Sequence, residues 1–282
     1  MEELLHCYTQ DGIALEGALY PGSSELVVVY THGVTGSVFR ATHVRIARAL
    51  QHDGWTVLAG NNRGNGVATP LLQRVGPRLL GGSWYERLAD AVTDIAAWID
   101  VAAARGARRV ALLGHSLGAV KTVLYATERE DDRVAALVLA SPAFRFVSRF
   151  GDRGALERAR RAVDAGRPDE LIEHPALAPT FGRISAAAYL DRASGYADPW
   201  AEPDPRLARI RCPILAIYGT NEPDIGGAEE LARIGRLARV EYAGTLIEGA
   251  DHVYTGHERE AADVISRWLR VQDERLRTPA TT

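Results

Sequence analysis

One serine lies between two glycines where the spacing of the apolar residues changes. Residues 108–125 read RRVALLGHSLGAVKTVLY. Residues 110–113 form a short apolar run, which predicts a parallel strand buried on both faces, and apolar residues after Gly118 recur at helical spacing. Ser116 therefore lies on a strand-to-helix turn, which lifts its side chain out of the sheet toward the first N–H groups of the helix. This position suits a nucleophile, although a serine between glycines is more often a plain turn.

A histidine and two carboxylates follow Ser116 at the ends of later predicted strands. His252 comes just after the last of these strands, and Glu222 and Asp224 follow the strand predicted at 213–219. The carboxyl ends of parallel strands share one edge of the sheet, so these distant loops can meet there. An imidazole can accept the serine proton, and a carboxylate fixes its tautomer and stabilises the cation that forms. The order serine, acid, histidine thus predicts nucleophilic catalysis.

Two backbone N–H groups are candidates for an oxyanion hole. Acyl transfer passes through a tetrahedral oxyanion, and each preorganised N–H donor contributes roughly 3 kcal/mol in the transition state. The N–H of Leu117, at the predicted helix start, is one candidate. The other is the N–H of Val34, because His32 and Gly33 end an earlier predicted strand. The sequence therefore predicts an oxyanion hole from Val34 and Leu117.

The composition indicates an ordinary globular protein. The 282 residues are 46% hydrophobic and carry a net charge of −3 with both signs interspersed, so we expect no nucleic-acid partner. No signal peptide and no run of roughly 20 apolar residues is found, which predicts a cytoplasmic protein without a membrane span. Cys7 and Cys212 form no spaced framework, and HExxH and paired CxxC motifs are absent, so we expect free thiols and no metal.

Apolar runs alternate with helical patterns along the chain. Strands are predicted at 25–30, 55–60, 109–114, 134–140, 213–219 and 240–249. Helices are predicted at about 40–52, 83–104, 117–129, 227–237 and 257–271. This alternation predicts an α/β fold, a mainly parallel central sheet with helices on both faces. The N-terminal residues instead predict an antiparallel hairpin that turns at Asp11-Gly12.

One long interval interrupts this alternation. It carries helical patterns around 153–165 and 184–194 and is too long for a plain connection between a strand and a helix. We predict an inserted helical lid at 143–211. Phe144 and Phe181 fall within it and are predicted to line a substrate pocket, the alternative being that such rings only seat the lid on the core. The domain prediction is a core of 1–142 and 212–282 with this insertion.

The motifs together resemble the α/β-hydrolase superfamily with a helical cap. THGVTGS, NNRGNG, GHSLG, GTNEPD and GADH occur in this order at the predicted strand ends, and the resemblance covers roughly residues 10–272. It implies a serine hydrolase without a cofactor, with Ser116 as nucleophile, His252 as base and the oxyanion hole described above. Haloalkane dehalogenases and epoxide hydrolases are disfavoured because they have an aspartate where this chain has Ser116.

The resemblance leaves two choices for the acid. The usual acid of the superfamily is an aspartate, often three residues beyond the glycine that ends the strand, and counting from Gly219 reaches Glu222. Because glutamate serves elsewhere in the superfamily, we prefer Glu222 and keep Asp224 as the alternative. Pro223 could turn the chain so that the shorter Asp224 carboxylate points inward instead. Asp251 is a poor third candidate, since neighbouring residues in an extended loop seldom point their side chains at each other.

Three further residues are interpreted as structural. We expect His115 to pack beneath the turn at Ser116, His32 to support the oxyanion loop, and Arg63 of the NNRGNG turn to be held by hydrogen bonds. NNRGNG lacks the glycine spacing and the Gly-Lys-Ser/Thr ending of a phosphate-binding loop.

The predicted function is hydrolysis of an ester, a thioester or a related acyl compound through an acyl-enzyme. The expected substrate is a small molecule with a mainly apolar acyl or aromatic group. The alternatives are acyl transfer to a nucleophile other than water, cleavage of a C–C bond beside a ketone, and a ligand-binding protein without catalysis. The sequence does not distinguish a monomer from a homodimer.

Overall fold

A computed structural model describes residues 2–173 and 182–277. Its strands are β1 (Glu3–Tyr8), β2 (Ala14–Tyr20), β3 (Leu26–Thr31), β4 (Thr56–Gly60), β5 (Thr69–Leu71), β6 (Leu79–Gly81), β7 (Arg109–His115), β8 (Val134–Ala140), β9 (Leu171–Glu173), β10 (Arg183–Ser185), β11 (Ile214–Gly219) and β12 (Tyr242–Ile247). Its α-helices are α1 (Ala41–His52), α2 (Ala91–Ala104), α3 (Leu117–Glu128), α4 (Phe144–Val147), α5 (Arg153–Asp164), α6 (Ala186–Ala193), α7 (Ala228–Leu237) and α8 (Glu258–Arg277).

Eight strands of the described residues form one central sheet, in the order β1-β2-β4-β3-β7-β8-β11-β12. β2 pairs antiparallel with β1 and with β4, and every other neighbouring pair in this sheet is parallel. The predictions of a mainly parallel sheet and of an N-terminal hairpin are therefore confirmed. Gly12 takes a φ of 84° in the hairpin turn, which a glycine adopts without strain.

The central strands are buried on both faces because helices cover each side. Val27 and Val29 of β3 belong to the apolar cluster that contains α2 and α3. Val28 and Tyr30, which point to the opposite face, belong to the cluster that contains α1 and α8. This double burial explains why β3 and β7 appear in the sequence as continuous apolar runs.

The loops after β3 and β7 lie side by side at the carboxyl edge of the sheet. β3 pairs with β7 through Thr31 and Gly114, and it pairs with β4 on its other side. The chain leaves β3 toward β4 and returns later to β7, so the connections diverge at this point. A crevice opens where neighbouring connections diverge in this way, and it is the usual ligand position in such sheets.

The helix predicted at 83–104 is shorter in the structure. α2 begins only at Ala91, after a 3₁₀ turn at Leu88–Asp90. The N–H of Leu88 donates to the Asp191 carboxylate at 2.6 Å, and the N–H of Ala89 donates to its other oxygen at 3.4 Å. The Asp191 carboxylate of α6 thus accepts two N–H groups from residues that the sequence pattern had placed inside the predicted helix.

The segment 143–211 has a small apolar core of its own. Phe150, Ile172, Ile184 and Tyr189 are buried together in it, and Val34 from the loop after β3 packs against them. The antiparallel pairing of β9 with β10 was not predicted, and α6 begins at Ala186 because the Ser185 side chain accepts the N–H of Ala188. Residues 174–181, which include Phe181, lie outside the described residues, so the prediction for Phe181 is untested.

A network of buried ion pairs connects the segment 143–211 to the rest of the protein. Lys121 of α3 is fully buried, forms an ion pair with Glu86 and donates to Asn62 Oδ1 at 2.9 Å. Arg192 of α6 lies 3.6 Å from the other oxygen of Glu86. Removal of one partner from a buried ion pair costs about 3–5 kcal/mol, because an uncompensated charge remains. These ions therefore fix the position of α6 over the sheet edge.

Candidate active site

Ser116 lies on a strained turn between β7 and α3. Its φ of 58° and ψ of −123° are rare for a residue with a side chain and cost about 1–3 kcal/mol. A Cβ on Gly114 would lie 2.5 Å from the Gly118 carbonyl oxygen, and one on Gly118 would lie 2.6 Å from the Thr31 carbonyl oxygen. Both glycines of the GHSLG motif are therefore required for the close approach of the backbone that presents Ser116.

His252 lies between Ser116 and Glu222 and is hydrogen-bonded to both. Its Nε2 is 2.9 Å from the Ser116 Oγ, and its Nδ1 is 2.7 Å from the Glu222 Oε2. A neutral imidazole protonated at Nδ1 donates to the carboxylate and accepts the serine O–H. The structure thus brings the three residues into the order in which a proton can pass from Ser116 to His252.

The second carboxylate oxygen of Glu222 is held by two further donors. The Glu222 Oε1 accepts the Ser141 hydroxyl at 2.6 Å and the Gly219 N–H at 2.6 Å. The Ser141 Oγ in turn accepts the Tyr254 hydroxyl at 2.7 Å. Sequence reasoning missed Ser141 and Tyr254. The available signal for Ser141 was its position directly after β8, at the same sheet edge as the other site residues.

The other two acidic candidates do not contact the His252 ring. The Asp224 side chain is exposed, and Arg149 donates to the Asp224 backbone carbonyl at 3.2 Å. The Asp251 carboxylate accepts the N–H groups of Val253 at 3.1 Å and Thr255 at 2.8 Å, so it stabilises its own turn. Glu222, and not the alternative Asp224, is the carboxylate that contacts His252.

Val34 and Leu117 have backbone N–H groups beside Ser116. A Cβ on Gly33 would lie 3.0 Å from the Ser116 Oγ, so the loop after β3 packs directly on the serine. Val34 and Leu117 both line the cavity described below. Within residues 2–173 and 182–277, neither N–H has an acceptor in the chain. Both donors are therefore available to a bound group.

Two histidines support these loops. The His32 Nδ1 is 2.8 Å from the Gly33 carbonyl oxygen, and the His32 Nε2 accepts the Asn62 N–H at 3.2 Å. The His115 Nε2 is 2.7 Å from the His252 carbonyl oxygen. Burial lowers the pKa of His32 and of His115 well below the ordinary value, so both rings are neutral and act as fixed hydrogen-bonding groups.

Arg63 is held by carboxylates on two sides. It donates to Asp94 at 2.7 Å and to Asp11 at 3.0 Å, and its side chain is almost fully buried. The interpretation of Arg63 as a structural residue agrees with these contacts.

A cavity of about 480 Å³ opens beside Ser116. Its described apolar lining consists of Val34, Leu117, Ala143, Phe146, Ile225 and Val253. Its described polar and charged lining includes Arg40, Arg149, Asp224, His43 and His252. A mainly apolar cavity with a few polar groups is typical of a small-molecule site.

Phe144, which was predicted to line the pocket, is not among the described residues of the cavity wall. Its ring is fully buried and lies edge-on to Trp200 with the ring centroids 5.1 Å apart, away from the cavity. α4 is a single turn, so Phe144 and Phe146 point in different directions, and Phe146 is the ring that lines the cavity.

We expect Phe146→Ala to change relative kcat/KM values along an ester series of graded acyl length by about tenfold, since one methylene in an apolar pocket is worth roughly 1–3 kcal/mol. Phe144→Ala should instead lower the free energy of unfolding by about 3–5 kcal/mol and leave that profile unchanged. The measurements are kinetics on the series and denaturant unfolding. A changed acyl profile for Phe144→Ala with unchanged stability would contradict this assignment.

The described part of the chain offers no metal site and no reactive thiol. No group of three or more His, Cys, Asp or Glu residues in it is placed to hold a metal ion. Cys7 and Cys212 are free thiols, and burial raises the pKa of each to about 12. None of the helices described has the length and apolar character needed to cross a bilayer.

The sheet topology and the residues at its carboxyl edge define an α/β hydrolase. A family model described as serine aminopeptidase, S33 matches residues 22–188, which is more than half of the chain. The chain belongs to this family of α/β hydrolases. No curated protein sequence matches it.

Many solved structures share this fold. DcsB in complex with its substrate analogue is 19% identical, with 96% of this chain and 100% of that chain covered and a TM-score of 0.73. Est1E from Butyrivibrio proteoclasticus is 17% identical over 95% of this chain and 98% of that chain, with a TM-score of 0.68. The mouse α/β-hydrolase domain-containing protein 10 is 12% identical over 95% and 98%, with a TM-score of 0.69. At these identities the similarity shows the fold.

Proposed function

We propose that the protein is a serine hydrolase that cleaves an ester, a thioester or a related acyl compound through an acyl-enzyme on Ser116. The observation that carries this proposal is the continuous hydrogen-bonded path from Ser116 through His252 to Glu222, at 2.9 Å and 2.7 Å, beside a cavity. The oxyanion hole is assigned to the N–H groups of Val34 and Leu117.

The reaction has two half-reactions on the same three side chains. His252 Nε2 takes the hydroxyl proton as Ser116 Oγ bonds to the substrate carbonyl, and the two N–H groups stabilise the oxyanion. Glu222 stabilises the imidazolium, which then gives its proton to the departing alkoxide or thiolate. Water, deprotonated by His252, attacks the acyl-enzyme and releases the acid, and the proton returns to Ser116.

Segment 143–211 is assigned as a lid, with 1–142 and 212–282 as the hydrolase core. Ala143, Phe146 and Arg149 of this segment line the cavity, and the segment's own apolar cluster rests on Val34. The apolar lining supports a mainly apolar acyl or aromatic group.

Aminopeptidase activity is the second candidate, because the matching family is described by it. An aminopeptidase must hold the ammonium group of its substrate, which requires acceptors of negative charge. The described cavity wall carries one carboxylate, Asp224, against two guanidinium groups, Arg40 and Arg149. This balance of charge favours an acyl ester over a free amino terminus.

The experiment is a chromogenic panel with wild type and Ser116→Ala in parallel. p-Nitrophenyl esters of graded acyl length should be hydrolysed by the wild type with a burst of one p-nitrophenolate per chain, because the acyl-enzyme accumulates. An aminoacyl p-nitroanilide serves as the aminopeptidase substrate. Ester rates equal in the two proteins, or a faster anilide reaction, would contradict the proposal. A wild type that binds these esters without turnover would indicate the ligand-binding alternative.

A further inference from the structure

Two arginines lie on the wall of the cavity beside Ser116. Arg40 ends the loop that carries Val34 and precedes α1, and Arg149 follows α4 in the segment assigned as the lid. They therefore reach the cavity from two different parts of the chain.

Neither guanidinium group is neutralised by a carboxylate of the described chain. A guanidinium has five N–H donors, and Arg40 uses one on the Thr35 carbonyl oxygen at 2.7 Å while Arg149 uses one on the Asp224 carbonyl oxygen at 3.2 Å. Arg145, one turn before Arg149, differs because it donates to the Glu230 carboxylate at 2.6 Å. The two arginines of the wall keep donors for a ligand.

The charge of the cavity wall is opposite to that of the whole chain. Two arginines and one aspartate give the described wall a net formal charge of +1, whereas the chain carries −3. The buried histidines add nothing, because burial and the nearby Arg40 lower the pKa of His43 to about 4 and burial lowers that of His115 well below the ordinary value. A positive wall in a negative chain concentrates anions at the site.

We propose that the substrate carries an anionic group, a carboxylate or a phosphate, which Arg40 and Arg149 bind while the scissile carbonyl lies at Ser116. The planar guanidinium fork binds either oxyanion through paired hydrogen bonds. The anion belongs to the acyl part, as in the monoester of a dicarboxylic acid, or to the leaving group, as in a phosphate-bearing thiol. This inference rests on the proposed hydrolase and adds the class of its substrate.

The test uses two pairs of substrates, one for each position of the anion. The first pair is the p-nitrophenyl monoester of glutaric acid and p-nitrophenyl pentanoate, which have the same chain length and differ in a terminal carboxylate. The second pair is butyryl-coenzyme A and the neutral butyryl thioester of N-acetylcysteamine. In at least one pair, the anionic substrate should have a kcat/KM about tenfold higher than the neutral substrate at low salt. The difference should lie mainly in KM, because hydrogen bonds from the arginines to a charged group stabilise the bound substrate.

Arg40→Gln and Arg149→Gln should each reduce that preference by roughly threefold, mainly through a higher KM for the anionic member. Arg160→Gln is the matched control, because Arg160 is an exposed arginine of α5 that does not line the cavity. The proposal of an anionic substrate is wrong if both variants keep the wild-type preference. It is also wrong if the wild type hydrolyses the neutral substrate at least as well as the anionic one in both pairs. Either result leaves the proposed hydrolase function in place. Absence of hydrolysis of all four compounds would overturn the hydrolase itself, and the inference with it.

Discussion

Replacement of Ser116 by alanine is expected to lower kcat on a chromogenic ester by roughly 10⁴- to 10⁶-fold. His252→Ala should have a similar effect, and the double variant should be no worse than either single one, because the two residues form one proton-transfer unit. The reason is the 2.9 Å contact between the Ser116 Oγ and the His252 Nε2, through which the hydroxyl loses its proton. The measurement is kcat for the three variants on one ester.

The matched control for this experiment is His257→Ala. His257 is a second histidine near the same loop, but its Nδ1 faces Glu260 at 3.1 Å and has no contact with Ser116. Its removal should change kcat by less than about threefold, and circular dichroism should show the wild-type fold for all variants. Residual activity within tenfold of wild type in Ser116→Ala or His252→Ala would reject the assignment.

The second large effect is expected for Glu222→Gln, about 10²- to 10⁴-fold in kcat. Ser141 and Gly219 both donate into the position of the Glu222 Oε1 at 2.6 Å, so the glutamine carbonyl must lie there. Its NH₂ group then faces the His252 Nδ1, which has to accept a hydrogen bond and keeps its proton on Nε2. That tautomer cannot take the serine proton.

Asp224→Asn is the matched control for Glu222→Gln. The Asp224 carboxylate is exposed and makes no contact with His252, so kcat should change by less than about threefold. Kinetics of the two amide variants on the same ester decide between the two carboxylates. A severe loss for Asp224→Asn with a mild one for Glu222→Gln would reverse the assignment.

The central sheet and the residues at its carboxyl edge were predictable because their signals are local. A buried parallel strand is a short apolar run, and the residues that follow such runs must lie at one sheet edge. Ser116, Glu222 and His252 each follow a strand of this kind, so their order and loop positions sufficed to bring them together. The preference for Glu222 over Asp224 also depended on counting from the glycine that ends β11.

The features that were missed depend on tertiary contacts. The start of α2 is set by a carboxylate of α6, 103 residues later in the chain, which no local pattern contains. Phe144 was assigned to the pocket because it lies in the predicted lid, where an aromatic ring can face either the cavity or the core, and only the packing against Trp200 decides. The support of Glu222 by Ser141 and Tyr254 likewise joins three loops, and the sequence indicates only that Ser141 lies at the same sheet edge, not that these side chains meet.

The burial of Lys121 limits the reaction of the folded protein with reagents that modify lysine. Lys121 is the only lysine of the chain, and it is enclosed by α3, Glu86 and Asn62. An acylating reagent in solution therefore meets no accessible lysine in the folded protein, since arginine does not react as an amine nucleophile. Acylation of Lys121 therefore marks those molecules in which the core beneath α6 has opened.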